Sequence, residues 1–335
     1  MHRIIHFRTN LGSLLNYGYE TDINFNVLQT GYGLTWDIGF NASFVKNKIL
    51  KLPYNGNEKN RQGGLEVFDP KSGKVIWVGG YQEGETMGDM YGYQQLRILK
   101  DWDDVNQNVA NRYDKIAELY GPALYATLTN KLGKYPIEPG DVLWADLDKN
   151  DTIDSRDRVK MGNIYPKWTG GFSTRIGYKN ILLSARFSYA VGHTIYNHLV
   201  AESIGQYSGT LNNIDWVKDM WRPDNQDTDL PMFYYADLPK LNIKRQALHN
   251  ATLDNHSSRF YYKGDYISLR EITLSYILPQ SLISKLKLAS VQANITGQNL
   301  VYFTKYPAPT PEVGGIDAGI YPLPVTVIFG LQVSF

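Results

Sequence analysis

The chain has 335 residues, with 34 basic against 33 acidic side chains, 43% hydrophobic residues and no cysteine. Near-neutral charge without a basic run gives no electrostatic footprint for nucleic acid, and the missing cysteines exclude disulfides, thiolate nucleophiles and thiolate metal sites. No run approaches the roughly 18 apolar residues of a membrane helix, so any crossing falls to strands, and the 25 tyrosines suit an interfacial aromatic belt or a sugar-stacking surface.

The opening residues Met1 to Arg8 carry no long apolar stretch followed by small residues, so they do not read as a secretory signal. From Tyr19 to Val27 the odd positions Tyr19, Thr21, Ile23, Phe25 and Val27 oppose Glu20, Asp22, Asn24 and Asn26, the period of a strand with one greasy and one polar face. After Gly31-Tyr32-Gly33, the even positions Leu34, Trp36, Ile38, Phe40, Ala42 and Phe44 continue it, which predicts a long hairpin. The region Leu65 to Tyr93 carries a weaker pattern, read as three more strands.

Residues 101–139 form a first long insertion, with helical spacing at Val109, Tyr113, Ile116, Ala117 and Tyr120 that stops at Gly121-Pro122. An aspartate-rich stretch follows. Asp146, Asp148, Asn150 and Asp154, with the Thr152 carbonyl and Asp157, place oxygen ligands at alternate positions as a hard cation such as calcium requires. Asp151 stands where such loops carry glycine, and Asp157 where they carry the longer glutamate; the competing reading is a solvated Asx-rich turn.

Strand alternation returns at Phe172, Thr174, Ile176 and Tyr178, then after Lys179-Asn180 at Ile181, Leu183, Ala185, Phe187, Tyr189 and Val191. A second long loop, 201–264, has no sustained period; its Trp216, Trp221, Arg222, Tyr234 and Tyr235 supply aromatic faces and planar polar partners that fit a sugar, a peptide or a partner protein, or that hold the loop together. His193 and His198 lie near a strand end, without a paired metal spacing, and read as loop or lumen residues. The last strands are Tyr266 to Leu278, Ser290 to Phe303 and Val325 to Phe335, with a short helical link at Ser281 to Leu286. In the final strand Val325, Val327, Phe329, Leu331, Val333 and Phe335 make one apolar stripe ending on an aromatic, the pattern of a barrel-assembly signal.

These features give an all-β chain of about ten strands, long enough to span a bilayer at the roughly 9 to 11 residues that crossing needs, with long loops at one end: an antiparallel transmembrane β-barrel segment. No HExxH, GxSxG elbow or phosphate loop is present, so catalysis is not expected.

The chain also resembles a known family. Asn10-Leu11-Gly12-Ser13 with Asn16-Tyr17-Gly18-Tyr19-Glu20, then Trp36, Asn41-Ala42-Ser43 and Lys46-Asn47-Lys48-Ile49, open a series of blocks. Glu83-Gly84, Met87-Gly88 and Tyr91-Gly92-Tyr93 follow, then Gly140-Asp141, the loop Asp146 to Arg158, Gly162-Asn163, Pro166-Lys167 and Gly170-Gly171-Phe172. Tyr266 to Tyr276 with Leu278-Pro279, Gly297-Gln298-Asn299-Leu300 with Phe303-Thr304-Lys305-Tyr306, and Tyr321-Pro322-Leu323-Pro324 complete it. In this order the blocks resemble the C-terminal third of SusC/RagA-like, TonB-dependent outer-membrane transporters.

The resemblance implies a barrel of about 22 strands with a plug domain, of which signal, plug and N-terminal strands are not in this chain. It implies a SusD-like surface lipoprotein and TonB as partners, contact with barrel-assembly machinery and outer-membrane lipid, and oligosaccharides before peptides as solutes. Thr310-Pro311-Glu312 departs from the family's common Asp-Pro-Glu, so a role requiring that aspartate is not expected. The rival readings are a secreted β-rich glycan-binding or adhesion protein, whose apolar faces would turn inward, and an envelope glycosidase, for which no carboxylate pair is found.

Overall fold

A computed structural model describes residues 12–108, 138–150, 153–205, 215–233 and 256–335. The strands in chain order are β1 (Ser13–Gln29), β2 (Leu34–Lys51), β3 (Leu65–Asp69), β4 (Lys74–Val78), β5 (Asp89–Tyr93), β6 (Gln95–Ile98), β7 (Val142–Trp144) and β8 (Arg158–Asn163). They continue as β9 (Trp168–Tyr178), β10 (Ile181–Val191), β11 (Thr194–Asn197), β12 (Tyr261–Lys263), β13 (Tyr266–Ile277), β14 (Ser290–Thr304), β15 (Ile316–Asp317) and β16 (Thr326–Ser334). Seven of them form one antiparallel meander, β1-β2-β9-β10-β13-β14-β16.

The alternation read from the sequence sets the faces of this sheet. Leu28, Trp36, Ile176, Leu183, Leu274, Ile295 and Phe329, one from each strand, stand opposite one another across it. Each is between 36% and 78% exposed, so the row is an apolar belt with nothing packed over it. Asn24, Gly39, Ser173, Arg186, Glu271, Gln298 and Thr326 form a corresponding row of polar or small residues. Its pairs are satisfied within the sheet: Arg186 bridges Glu271 at 3.1 Å, and Gln298 donates to the same carboxylate at 3.1 Å. A sheet greasy on one face and hydrogen-bonded on the other has the two-sided character that a transmembrane β-barrel wall requires.

The connections differ at the two ends. The turns 30–33 and 179–180, and the link holding the helix Gln280–Ile283 and the 3-10 turn Ser284–Leu286, close one end. Connections 52–167, 192–265 and 305–325 leave the other and carry the remaining strands. There β12-β11-β15, β3-β4, β5-β8 and β6-β7 make four small sheets. They bury a core of Tyr93, Ile98, Val142, Trp144, Ile153 and Trp221, and a second of Ala201, Met220 and Phe260.

Among the described residues seven strands form the large sheet, against the expectation of about ten. β3, β4 and β5 do form in Leu65 to Tyr93, but at 5 residues each they extend only about 17 Å, short of a hydrocarbon core of about 30 Å. They pair with each other or with β8, outside the large sheet. The helical spacing from Val109 to Tyr120 lies outside the described residues, although a helix just before it, Trp102–Gln107, is capped by the Asp101 side chain, which accepts from the Asp104 N–H at 2.8 Å. Among the described residues no helix is long and apolar enough to cross a membrane.

Candidate functional site

The second long loop begins with the helix His198–Gly205 and returns through the 3-10 turn Asp215–Asp219. Met220 and Phe260, each 1% exposed, pin these pieces together with Val200, Val217, Leu230 and Phe233 around them. Trp216 is left at the rim, 37% exposed, with a cleft on each side. One, of about 410 Å3, is mostly apolar and is walled by Leu199, Val200, Pro307 to Pro309, Ile320 and Tyr321. The other, of about 310 Å3, sets Trp216 beside Asp219, Thr228, Asp229, Arg259 and Tyr262.

Trp221 is placed differently. It is 8% exposed, and its ring lies against Gly140, whose φ of +93° and lack of a Cβ permit the approach. Its backbone N–H donates to the Leu230 carbonyl at 3.1 Å, and Met232 N–H to the Gly140 carbonyl at 2.9 Å. Of the readings the sequence offered for Trp221, the packing corresponds to the one in which it holds the loop together. Arg222 also serves the loop, donating to Asp224 at 3.2 Å and to the Lys218 carbonyl at 2.6 Å. Tyr234 and Tyr235 lie outside the described residues.

In the aspartate-rich loop, carboxylate oxygens of Asp146, Asp148 and Asp157 lie within 4.8 Å of one another. Asp157 is fully buried and accepts the N–H groups of Leu147 and Asp154, both at 2.8 Å. Burial pushes its carboxyl up to about 7 against those two donors, and the charges of Asp146 and Asp148 push the same way. Asp148 is also raised, chiefly by burial. Asn150 is drawn in, its N–H reaching Asp146 and Asp148 at 3.3 Å each, across Lys149 at φ 58°. Asp154 is used otherwise: its side chain accepts from Arg156 N–H at 2.7 Å and caps the turn Ser155–Asp157. Thr152 lies outside the described residues. Three crowded, partly desolvated carboxylates are a donor set that a hard cation would satisfy.

A third cluster escaped the sequence reading. Between Leu269 and Glu271 the register of β13 slips against both neighbours, so Arg270 joins Glu271 on the polar face. Opposite the slip, Asn299 of β14 takes φ 54°. Arg270 donates to Ser188 Oγ at 2.7 Å and Tyr302 OH at 3.4 Å, and pairs with Glu312 of the 305–325 connection. Thr310, 4% exposed, accepts the Glu312 N–H on its hydroxyl at 3.2 Å.

No family model matches the chain. It is 31% identical over 97% of its length to TonB-dependent receptor P3 of Formosa agariphila and 26% identical over 97% to TonB-dependent receptor SusC of Bacteroides thetaiotaomicron. Among solved structures it is similar to the RagAB peptide transporter, at 20% identity over 97% of the chain, with a TM-score of 0.63. The chain belongs to the SusC/RagA-type TonB-dependent receptors. It spans about 30% of the length of the curated relatives it matches, 29% of P3 and 27% of SusC.

Within such a receptor, the chain supplies a seven-stranded antiparallel wall and the long connections at one end of it. The terminal stripe fits that wall: Val325, Val327, Phe329, Leu331, Val333 and Phe335 are between 41% and 97% exposed. Among the described residues β16 pairs with β14 along one side. Arg270 and Glu312 are 42 positions apart in this receptor segment, so no periodicity links them. The available signal was local: Arg270 interrupts the alternation of Tyr266 to Tyr276, and a charge out of phase in a spanning strand calls for a partner in the lumen.

Proposed function

We propose that this chain forms part of an outer-membrane importer that draws on TonB and works with a SusD-like surface lipoprotein to take up oligosaccharides. The observation that carries the reading is the seven-strand wall, with an uncovered apolar belt on one face, a hydrogen-bonded polar face on the other and, among the described residues, clefts in the loops at one end. Trp216 supports a sugar: an exposed indole can stack on a pyranose while Asp219, Asp229 and Arg259 hydrogen-bond its hydroxyls. A peptide is the second reading, favoured by the apolar cleft on the other side of Trp216 and by the likeness to RagAB.

In this reading the long connections are extracellular, and strands beyond this chain complete a barrel of about 22. A calcium ion on Asp146, Asp148 and Asp157 stiffens the loop ahead of β8, with Asn150 beside it. The test uses the full receptor in its own outer membrane. Heat-modifiable migration, uptake lost on removing TonB, and binding of oligosaccharides but not peptides are expected; uptake that persists without TonB, or a detergent-free soluble protein, would sink it.

A further inference from the structure

The 305–325 connection leaves β14 at the outer end of the wall, and its Pro307 to Thr310 and Gly319 to Pro322 line the larger cleft beside Trp216. Where this connection sits therefore decides the shape of the cleft. It touches the rest of the chain at a few points of different kinds. Backbone pairing joins β15 to β11, with Tyr196 N–H donating to the Gly315 carbonyl at 2.8 Å. Tyr306 OH donates to Asp317 at 2.5 Å, and Asp317 accepts the Gly319 N–H at 2.8 Å, but these bonds are internal to the connection and shape it without fastening it.

Two contacts reach the large sheet: Asn299 of β14 donates to the Pro324 carbonyl at 3.3 Å, at the end of the connection next to β16, and the other, nearer its middle, is electrostatic. Arg270 reaches the lumen side because of the bulge, is oriented there by Ser188 and Tyr302, and takes the Glu312 carboxylate. The Thr310 hydroxyl fixes the turn that presents Glu312, and the Pro311 carbonyl faces the His193 imidazole at the end of β10. We propose that the Arg270–Glu312 pair is a latch that fixes the 305–325 connection to β13 and so positions one wall of the Trp216 cleft. Both partners are about a quarter exposed, 26% each, so the latch can be opened by ions or by loss of one charge while the strand ladder stays intact. Thr310 keeps the turn, because its hydroxyl accepts the Glu312 N–H.

That the cleft receives solute rests on the importer reading; the latch itself is read without solute. In the full receptor, hydrogen–deuterium exchange over residues 308–320 is expected to be at least ~10-fold faster in E312Q and in R270Q than in the wild type, with T310S protected and T310A loosened. Wild-type exchange should rise between ~0.05 M and ~1 M salt, while E312Q is fast and indifferent to salt. Equal protection in wild type, E312Q and R270Q overturns the proposal. Should the variants fail to assemble, a wild-type segment whose exchange ignores salt overturns it as well. Neither result bears on whether the receptor imports.

Discussion

Phe172 on β9 and Phe187 on β10 stand directly opposite each other and stack, with ring centroids 4.2 Å apart and planes 11° apart. The pair lies on the apolar face, toward the end that carries the long connections. Phe40 of β2, opposite Phe172, stacks in turn on Tyr189 at 6.3 Å, so aromatic rings cluster on this face. A double-mutant cycle of F172A and F187A in lipid vesicles should show a coupling of about 0.5–1.5 kcal/mol. Additive losses would mean the rings touch without contributing beyond their burial.

Leu274 and Thr296 test the assignment of the two faces. L274R places a cation in the apolar row and should destabilise the receptor by about 2–4 kcal/mol in a urea titration in lipid. T296K lies on the polar face, loses its 2.9 Å bond with Thr273, and should cost about 1 kcal/mol or less. If the two costs were reversed, lipid would have to meet the other face.

Trp216 and Trp221 separate solute contact from packing. W216A should leave thermal stability within about 0.5 kcal/mol of wild type and weaken solute binding at least ~10-fold. W221A should cost about 3–5 kcal/mol by emptying the core beside Trp144 and Tyr93. Calorimetric melting and isothermal titration on the same preparations check both.

Asp157 makes stability depend on pH. Its carboxyl rises from an ordinary 3.8 to about 7 on folding, so the folded state holds that proton over the range between. The stabilisation is complete below the lower value and is lost as pH climbs through the upper one. In calcium-free buffer, the loop should lose roughly 2–3 kcal/mol of stability between about pH 5 and about pH 8, and D157N should flatten that slope. Calcium, by compensating Asp146, Asp148 and Asp157, should restore the melting temperature at the alkaline end; no change on adding or chelating calcium would remove the ion from the account.

The sequence by itself determined the hairpins. Period-two alternation dictates which side chains share a face, and two turn residues such as Lys179-Asn180 leave little freedom of register, so the faces of β9 and β10 were legible before any coordinates, whereas the bulge that brings Leu28 opposite Trp36 was not. The tertiary structure alone decided which strands cross. β3 to β5 carry a weaker pattern than β9 but still read as strands; their length and pairing partners keep them out of the wall. It also decided the loops, where no period relates neighbours: Trp216 and Trp221 lie five positions apart, one at a rim and one in a core, because Gly140 from a distant segment closes over the second. The Asp146, Asp148 and Asp157 cluster was visible as spacing, whereas the diversion of Asp154 to a cap depended on a local turn. Arg270 and Glu312 found each other through a bulge and a long connection, contacts that chain folding creates and linear spacing does not encode.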